Sequence, residues 1–198
     1  RRRFTTIRRT LQCVAFQSIV GRLQKPSKEE RLPSWTFVRD DEAMMTRHDI
    51  DKAQRAWGDG IVAIATAHRD GGDYTGIARN HVETLYAYGM TTVLFKPTLA
   101  AVEQFRPTFE QALSYFVASN DACPEDKGFA IKGWTNVRFE NADVILSGPS
   151  ALAMGNYFFT SPEGEEVKVE YTFGYVLDEA GEPRINVHHS SMPASHEA

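Results

Sequence analysis

The sequence predicts an α+β fold in which a curved antiparallel sheet forms a cone around a long helix. Apolar residues first recur with the 3.6-residue period of a helix. From Phe129 the period changes to two, and turn signals separate the alternating segments. Segments of more than ~10 residues form strands that twist and curl strongly. Helices can then pack into the concave face of the sheet, and the open mouth of the cone can hold a small pocket.

The first helix is expected to begin after Thr46, which forms a capping box with Asp49. Residues spaced by three and four describe its single buried face. They are Ile50, Ala53, Trp57, Ile61, Ile64 and His68. Gly71 and Gly72 end this helix.

Asp73 can cap a second helix that runs to about Tyr88. Its expected buried side consists of Ile77, Ala78, Leu85 and Tyr86. The run TTVLFK predicts a short strand that ends at Pro97. Pro107 suits the first turn of a third helix, TFEQALSYFVAS.

The remaining strands form an antiparallel meander, and the last of them, RINVHHSSMP, carries the most polar end. Alternation from Ile185 and Val187 places His189 and Ser191 on the inner face. A shift of one residue would instead turn His188 and Ser190 inward. Inward polar groups indicate a pocket rim, although satisfied polar residues at a strand end are the simpler interpretation.

Charge divides the chain of 198 residues into two parts. Residues 1–28 hold eight of its 22 Lys and Arg and no acid, which leaves 14 basic against 26 acidic residues in the rest. We expect a basic tail over residues 1–40 and a single catalytic domain over 41–198. The tail fits a transit peptide or a linker equally well, and a nucleic-acid arm is less favoured because the body is acidic. No apolar run approaches the ~20 residues that span a membrane.

Common enzyme signatures are missing from the sequence. There is no H-E-x-x-H, G-x-S-x-G or C-x-x-C motif, and Cys13 and Cys123 stand alone. No metal site is therefore expected. The polar residues that suit a pocket, besides those of the last strand, are Thr98 and Tyr115, although a turn cap and a core aromatic explain them as well.

Nine ordered blocks over about residues 44–193 resemble the iota-class carbonic anhydrases of algae and bacteria. These belong to the nuclear transport factor 2-like superfamily, in its calcium/calmodulin-dependent kinase association-domain branch. The blocks are WGDGIVAIA, GGDYTGIARNHVETLYAYG, VLFKPT, FRPTFEQALSYFV, KGFAIKGW, VRFENA, AMGNYFFT, VEYTFGYV and VHHSSMP.

The resemblance implies reversible hydration of carbon dioxide to bicarbonate without a metal cofactor, with manganese or zinc not excluded. The implied catalytic residues are Thr98, Tyr115, His189 and Ser191. Three neutral hydroxyls would orient water and stabilise the developing negative oxygen, while the imidazole relays the proton. The implied substrate-binding residues are His188 and Ser190, with an apolar wall of Trp57, Phe95 and Tyr171.

The same resemblance implies a homodimer. Neither a nucleic-acid nor a membrane partner is expected, since the body is acidic and contains no long apolar run. The expected dimer interface is the outer sheet face, with Lys168, Glu170, Thr172 and Val176. With the basic tail, the resemblance favours the plastid of an alga, and a bacterial compartment is the alternative. The rival function is a non-catalytic association module of the same fold, and an isomerase would need an inward Asp or Glu base.

Overall fold

A computed structural model describes residues 43–195, so the predicted basic tail lies outside the described residues. The first helix, α1, spans Arg47–Arg69. Thr46 Oγ1 accepts the backbone N–H of Asp49 at 3.2 Å, and the Asp49 carboxylate accepts the N–H of Thr46 at 2.8 Å. The predicted capping box is therefore confirmed. The buried face agrees with the expected one except at His68, which is exposed.

The second helix, α2, spans Tyr74–Leu85, with Asp73 as its cap. It ends earlier than predicted, because Tyr86 is extended and bridges to Ile185. Its buried face also differs from the prediction, since Ile77 is exposed. The residues that α2 buries are Ala78, His81 and Val82.

The third helix, α3, spans Phe109–Val117 and is capped by Thr108. The predicted position of Pro107 in the first turn is therefore wrong, because Pro107 precedes the cap. No helix within residues 43–195 is long and apolar enough to cross a membrane.

The sheet contains five strands in the order β1-β5-β4-β3-β2. They are β1 (Leu94–Lys96), β2 (Asn136–Ser147), β3 (Ser150–Thr160), β4 (Glu166–Leu177) and β5 (Pro183–Ser191). Strands β2 to β5 form the predicted antiparallel meander, and β1 joins the edge of β5 in parallel. Because it runs parallel to β5, β1 delivers the segment that follows it to the carboxyl end of β5.

Helix α1 packs on the concave face of this sheet through Trp57, which is 1% exposed. Its indole lies 5.7 Å from the ring of Tyr157 and 5.8 Å from that of Phe173, between ring centroids. A bulge in β2 at Asn141–Asp143 lies opposite Gly155, where an added Cβ would lie 2.1 Å from the carbonyl oxygen of Glu140. Bulges increase the local bend of a strand, which suits a sheet that wraps around a helix.

Candidate active site

A bulge in β5 decides which polar residues face the interior. Val187 pairs with Gly174 and Ile185 pairs with Tyr175, so Asn186 has no partner in the ladder. The extra residue reverses the alternation beyond it. The interior therefore receives His188 and Ser190, which are 2% and 3% exposed.

The predicted inward orientation of His189 and Ser191 is wrong, because the alternation rule assumes a strand without a bulge. Both residues lie on the outer face, where Ser191 Oγ donates to Glu170 Oε2 at 3.1 Å. They line an outer cavity of about 430 Å³. The sheet thus separates them from the interior polar groups.

Three hydroxyls meet at the carboxyl end of β5, and we call them the hydroxyl cluster: Thr98, Ser190 and Tyr157. Thr98 Oγ1 donates to Ser190 Oγ at 2.9 Å. Burial raises the pKa of Tyr157, while its hydrogen bonds with Ser190 and Thr98 act in the opposite direction. Tyr157 was not among the residues predicted from the sequence, although its two-residue spacing from Phe159 in β3 would have placed it inward.

His188 connects the hydroxyl cluster to the core. Its Nδ1 lies 2.8 Å from Tyr86 Oη, and Trp57 Nε1 donates to that oxygen at 3.0 Å. Its Nε2 lies 3.5 Å from Tyr157 Oη, and its ring stacks on Phe95 with centroids 4.4 Å apart. Burial, aided by the neighbouring histidines, lowers the pKa of His188 well below its usual value. The imidazole is therefore neutral, because burial penalises its charged form.

Tyr115 lines a cavity of about 220 Å³. Burial raises the pKa of Tyr115 far above its usual value, and the backbone of Leu99 opposes part of this rise. The cavity is lined by Leu99, Tyr115, Glu125, Asp126, Lys127, Gly128, Phe129 and Lys132. Because Leu99 follows Thr98 directly, Tyr115 borders both the cavity and the segment that carries Thr98.

The segment after Thr98 is held by an acidic loop, which no sequence motif indicates. The Glu125 carboxylate accepts the backbone N–H groups of residues 101–103 at 2.7–3.1 Å. These bonds lower the pKa of Glu125. Arg106 is fully buried and its Nη2 donates to Asp126 Oδ1 at 2.8 Å. This arrangement fixes the backbone on the cavity side of the hydroxyl cluster.

The three residues of the predicted apolar wall lie in two different surroundings. Phe95 and Trp57 both pack against the ring of His188. The Tyr171 hydroxyl instead hydrogen-bonds Gln54, at 3.2 Å, and Asn141. Burial raises the pKa of Tyr171 to about 12. Tyr171 therefore supports the aromatic core without contributing its hydroxyl to the cluster.

The cluster consists of neutral groups. The buried polar residues on the inner sheet face of residues 43–195 are His188 and Ser190, and no Asp or Glu joins them. Within the same residues, no three His, Cys, Asp or Glu side chains come close enough to hold a metal ion. The isomerase alternative lacks the inward carboxylate base it needs in this part of the chain. Neutral hydroxyls can orient a water molecule and stabilise a developing negative oxygen.

Comparison with known proteins gives matches over most of the described chain. The family model of the metal-independent carbonic anhydrases matches residues 48–192. A metal-independent carbonic anhydrase of Nostoc sp. (strain PCC 7120) is 40% identical over 152 residues, 75% of this chain and 74% of that protein.

Two solved structures extend the comparison. The iota-carbonic anhydrase from a cyanobacterium, complexed with bicarbonate, has a TM-score of 0.76 and 37% identity over 79% of this chain and 97% of that one. A putative dehydratase of the NTF2-like family from Streptomyces avermitilis has a TM-score of 0.50 and 12% identity, over 75% of this chain and 96% of that one. The second likeness shows the fold alone, and it agrees with the predicted cone.

Proposed function

Since the chain belongs to the metal-independent carbonic anhydrase family, we propose that its hydroxyl cluster and Tyr115 form the site where carbon dioxide is hydrated. The chain is a carbonic anhydrase, and its family works without a metal cofactor. The observation that carries the assignment is the contact between Thr98 Oγ1 and Ser190 Oγ, 2.9 Å long, beside the buried Tyr157. It provides neutral donors and acceptors next to a cavity that Tyr115 lines.

The chemical difficulty is the supply of a nucleophile at neutral pH. Zinc enzymes solve it by lowering the pKa of a bound water to about 7. A hydroxyl can accept one proton while it donates another. We infer that the attacking water forms its C–O bond as a hydroxyl of the cluster takes its proton and gives its own to an oxygen of carbon dioxide. The product is carbonic acid, which loses a proton to solvent and becomes bicarbonate, so no full charge has to form where burial penalises it.

In this scheme Tyr115 donates to the second oxygen of carbon dioxide as negative charge develops there. A preorganised donor of this kind contributes roughly 10²–10³ in rate. His188 acts as a neutral hydrogen-bonding group, in place of the proton relay expected at His189. Burial lowers the pKa of His188, which makes an imidazolium intermediate costly.

The test is stopped-flow hydration of carbon dioxide by chelator-treated protein. We expect Thr98→Val and Tyr115→Phe to lower kcat/KM by about 10²-fold each, since each removes one hydroxyl from the reaction path. Thr92→Val, at an exposed position before β1, is the matched control and should keep full activity. The proposal would be overturned if the chelator-treated protein had no hydration activity and regained it when zinc or manganese was added.

We also propose that the outer face of the sheet binds a second copy of the chain. Ile145, Leu152 and Met154 lie on this face and are 65%, 46% and 58% exposed. The positions expected at the interface belong to the same face of β4, where Thr172 pairs with Met154. They are Lys168, Glu170, Thr172 and Val176. Neighbouring exposed apolar side chains of this kind are typical of protein–protein interfaces.

Sedimentation velocity tests this interface. The wild-type chain should sediment as a dimer, while Met154→Glu should sediment as a monomer, because a charge buried without a partner opposes association. Met90→Glu changes an exposed methionine after α2 and should leave the dimer intact. A monomeric wild type, or a Met154→Glu protein that stays dimeric, would contradict the proposal.

We propose, finally, that the chain acts in the plastid of an alga. The support is the Arg-rich, acid-free composition of residues 1–28. A fluorescent protein fused behind residues 1–40 should enter the plastid when expressed in an algal cell. Fluorescence that stays outside the organelle would argue against it.

A further inference from the structure

A buried chain of hydrogen bonds leads from α1 to the hydroxyl cluster. Trp57 Nε1 donates to Tyr86 Oη at 3.0 Å, and Tyr86 Oη lies 2.8 Å from His188 Nδ1. On its other side, His188 Nε2 lies 3.5 Å from Tyr157 Oη. Trp57 and Tyr86 are each 1% exposed, so water does not compete for these bonds.

The direction of the chain follows from the chemistry of its first member. An indole nitrogen only donates, so Tyr86 Oη must accept from Trp57. Within the described residues, the partners of Tyr86 Oη are Trp57 and His188. A buried hydroxyl hydrogen without an acceptor is costly, so Tyr86 donates it to His188 Nδ1.

This direction selects one tautomer of His188. A neutral imidazole has one acceptor nitrogen and one N–H. With Nδ1 accepting from Tyr86, the hydrogen resides on Nε2, and that N–H points at Tyr157 Oη. Tyr157 Oη then accepts from His188 and keeps its one hydrogen free for Ser190 or Thr98, the two side chains that oppose the rise of its pKa.

We propose that Trp57 and Tyr86 are positioning residues that lock His188 in its Nε2–H tautomer and so aim the Tyr157 hydroxyl at the Thr98–Ser190 pair. The effect on rate rests on the proposed function of the hydroxyl cluster, whereas the tautomer does not. Within the described residues, neither side chain hydrogen-bonds a hydroxyl of the cluster directly, and both act through His188. They fix the hydrogen-bond direction from Tyr86 through His188 to Tyr157, so the Tyr157 hydroxyl does not rotate freely.

The experiment combines ¹⁵N NMR of the His188 side chain with carbon dioxide hydration. In the wild-type protein, Nδ1 should give the signal of an unprotonated nitrogen and Nε2 that of an N–H. Tyr86→Phe should change the share of His188 side chains that carry the hydrogen on Nε2, because Nδ1 loses its hydrogen-bond donor. It should also lower kcat by about tenfold, the factor that one hydrogen bond of ordinary net strength is worth.

Two further variants separate positioning from loss of structure. Tyr175→Phe alters a buried tyrosine whose hydroxyl makes no hydrogen bond to His188 within the described residues, and it should change neither readout. In the series of hydrogen bonds that starts at Trp57, Tyr157 comes after His188. Tyr157→Phe should therefore slow hydration while the tautomer of His188 stays the same. A wild-type His188 that carries its hydrogen on Nδ1 would overturn the proposal, as would a Tyr86→Phe protein with an unchanged tautomer. If the wild-type protein shows no hydration, the hydroxyl-cluster mechanism fails, and the NMR result still decides the tautomer.

Discussion

His81 is a second buried histidine, and it lies outside the hydrogen-bonded chain. Its ring centroid lies 5.9 Å from that of Trp57 and 5.6 Å from that of Phe116. Gly60 makes room for it, since a Cβ there would lie 2.1 Å from His81 Nδ1. Within residues 43–195, His81 Nε2 has no hydrogen-bond partner. Burial lowers the pKa of His81 to about 3, so folding keeps this side chain neutral.

The neutral His81 makes the stability of the fold depend on pH. The unfolded chain takes up a proton at a pKa of about 6.5 and the folded chain does not, so this contribution is complete above that pH and is lost below it. Between pH 7 and pH 5, His81 should reduce the free energy of unfolding by about 2 kcal/mol.

Urea unfolding at the two pH values measures this effect. Between pH 7 and pH 5, the free energy of unfolding of His81→Leu should fall by about 2 kcal/mol less than that of the wild type. His48→Gln, at an exposed position of α1, should behave as the wild type does. An equal loss in wild-type and His81→Leu proteins would contradict the assignment.

At the scale of elements, β4 and β5 show where alternation succeeds and where it fails. In β4 the rule places Tyr171, Phe173 and Tyr175 inward, and all three are buried. In β5 the same rule fails after Asn186, because a bulge depends on the neighbouring strand and not on the local pattern. A hint of the bulge is Gly174, which interrupts the β-forming run VEYTFGYV.

Gly174 pairs with Val187 directly beside the bulge and leaves no room for a side chain. A Cβ there would lie 2.9 Å from both Asn186 Oδ1 and Val187 Cβ. Gly174→Ala should therefore lower the free energy of unfolding by ~1–3 kcal/mol, the usual cost of overpacking. It should also lower the hydration rate, because His188 and Ser190 depend on the bulge for their inward position.

Thermal unfolding and the hydration assay test this prediction together. Gly72→Ala is the control, since its Cβ would make an ordinary 3.5 Å contact with the carbonyl oxygen of Ala67. A Gly174→Ala protein with wild-type stability and activity would show that the bulge does not need the glycine.

For the molecule as a whole, the periodicity of the sequence was sufficient to predict the cone-shaped fold but insufficient to predict which residues form the site. The helices, the meander and the inward face of β4 follow from local patterns and were predicted. Thr98 was predicted as a pocket residue and belongs to the hydroxyl cluster, and Tyr115 lines the cavity beside Leu99, the residue after Thr98. Tyr86 was expected only as a buried residue, and its bond to His188 joins positions 102 residues apart. Contacts of that range depend on strand register and bulges, which local patterns do not contain.

The central claim is that hydration takes place at the hydroxyl cluster inside the cone, without a metal. Ser190 and Ser191 are adjacent in the chain and lie on opposite faces of the sheet, so they form a matched pair. The most direct test is the hydration rate of Ser190→Ala and Ser191→Ala, measured in the presence of a chelator. We predict that Ser190→Ala loses about 10²-fold in kcat/KM while Ser191→Ala stays within about twofold of the wild type. Full activity in Ser190→Ala, or the larger loss in Ser191→Ala, would contradict the account.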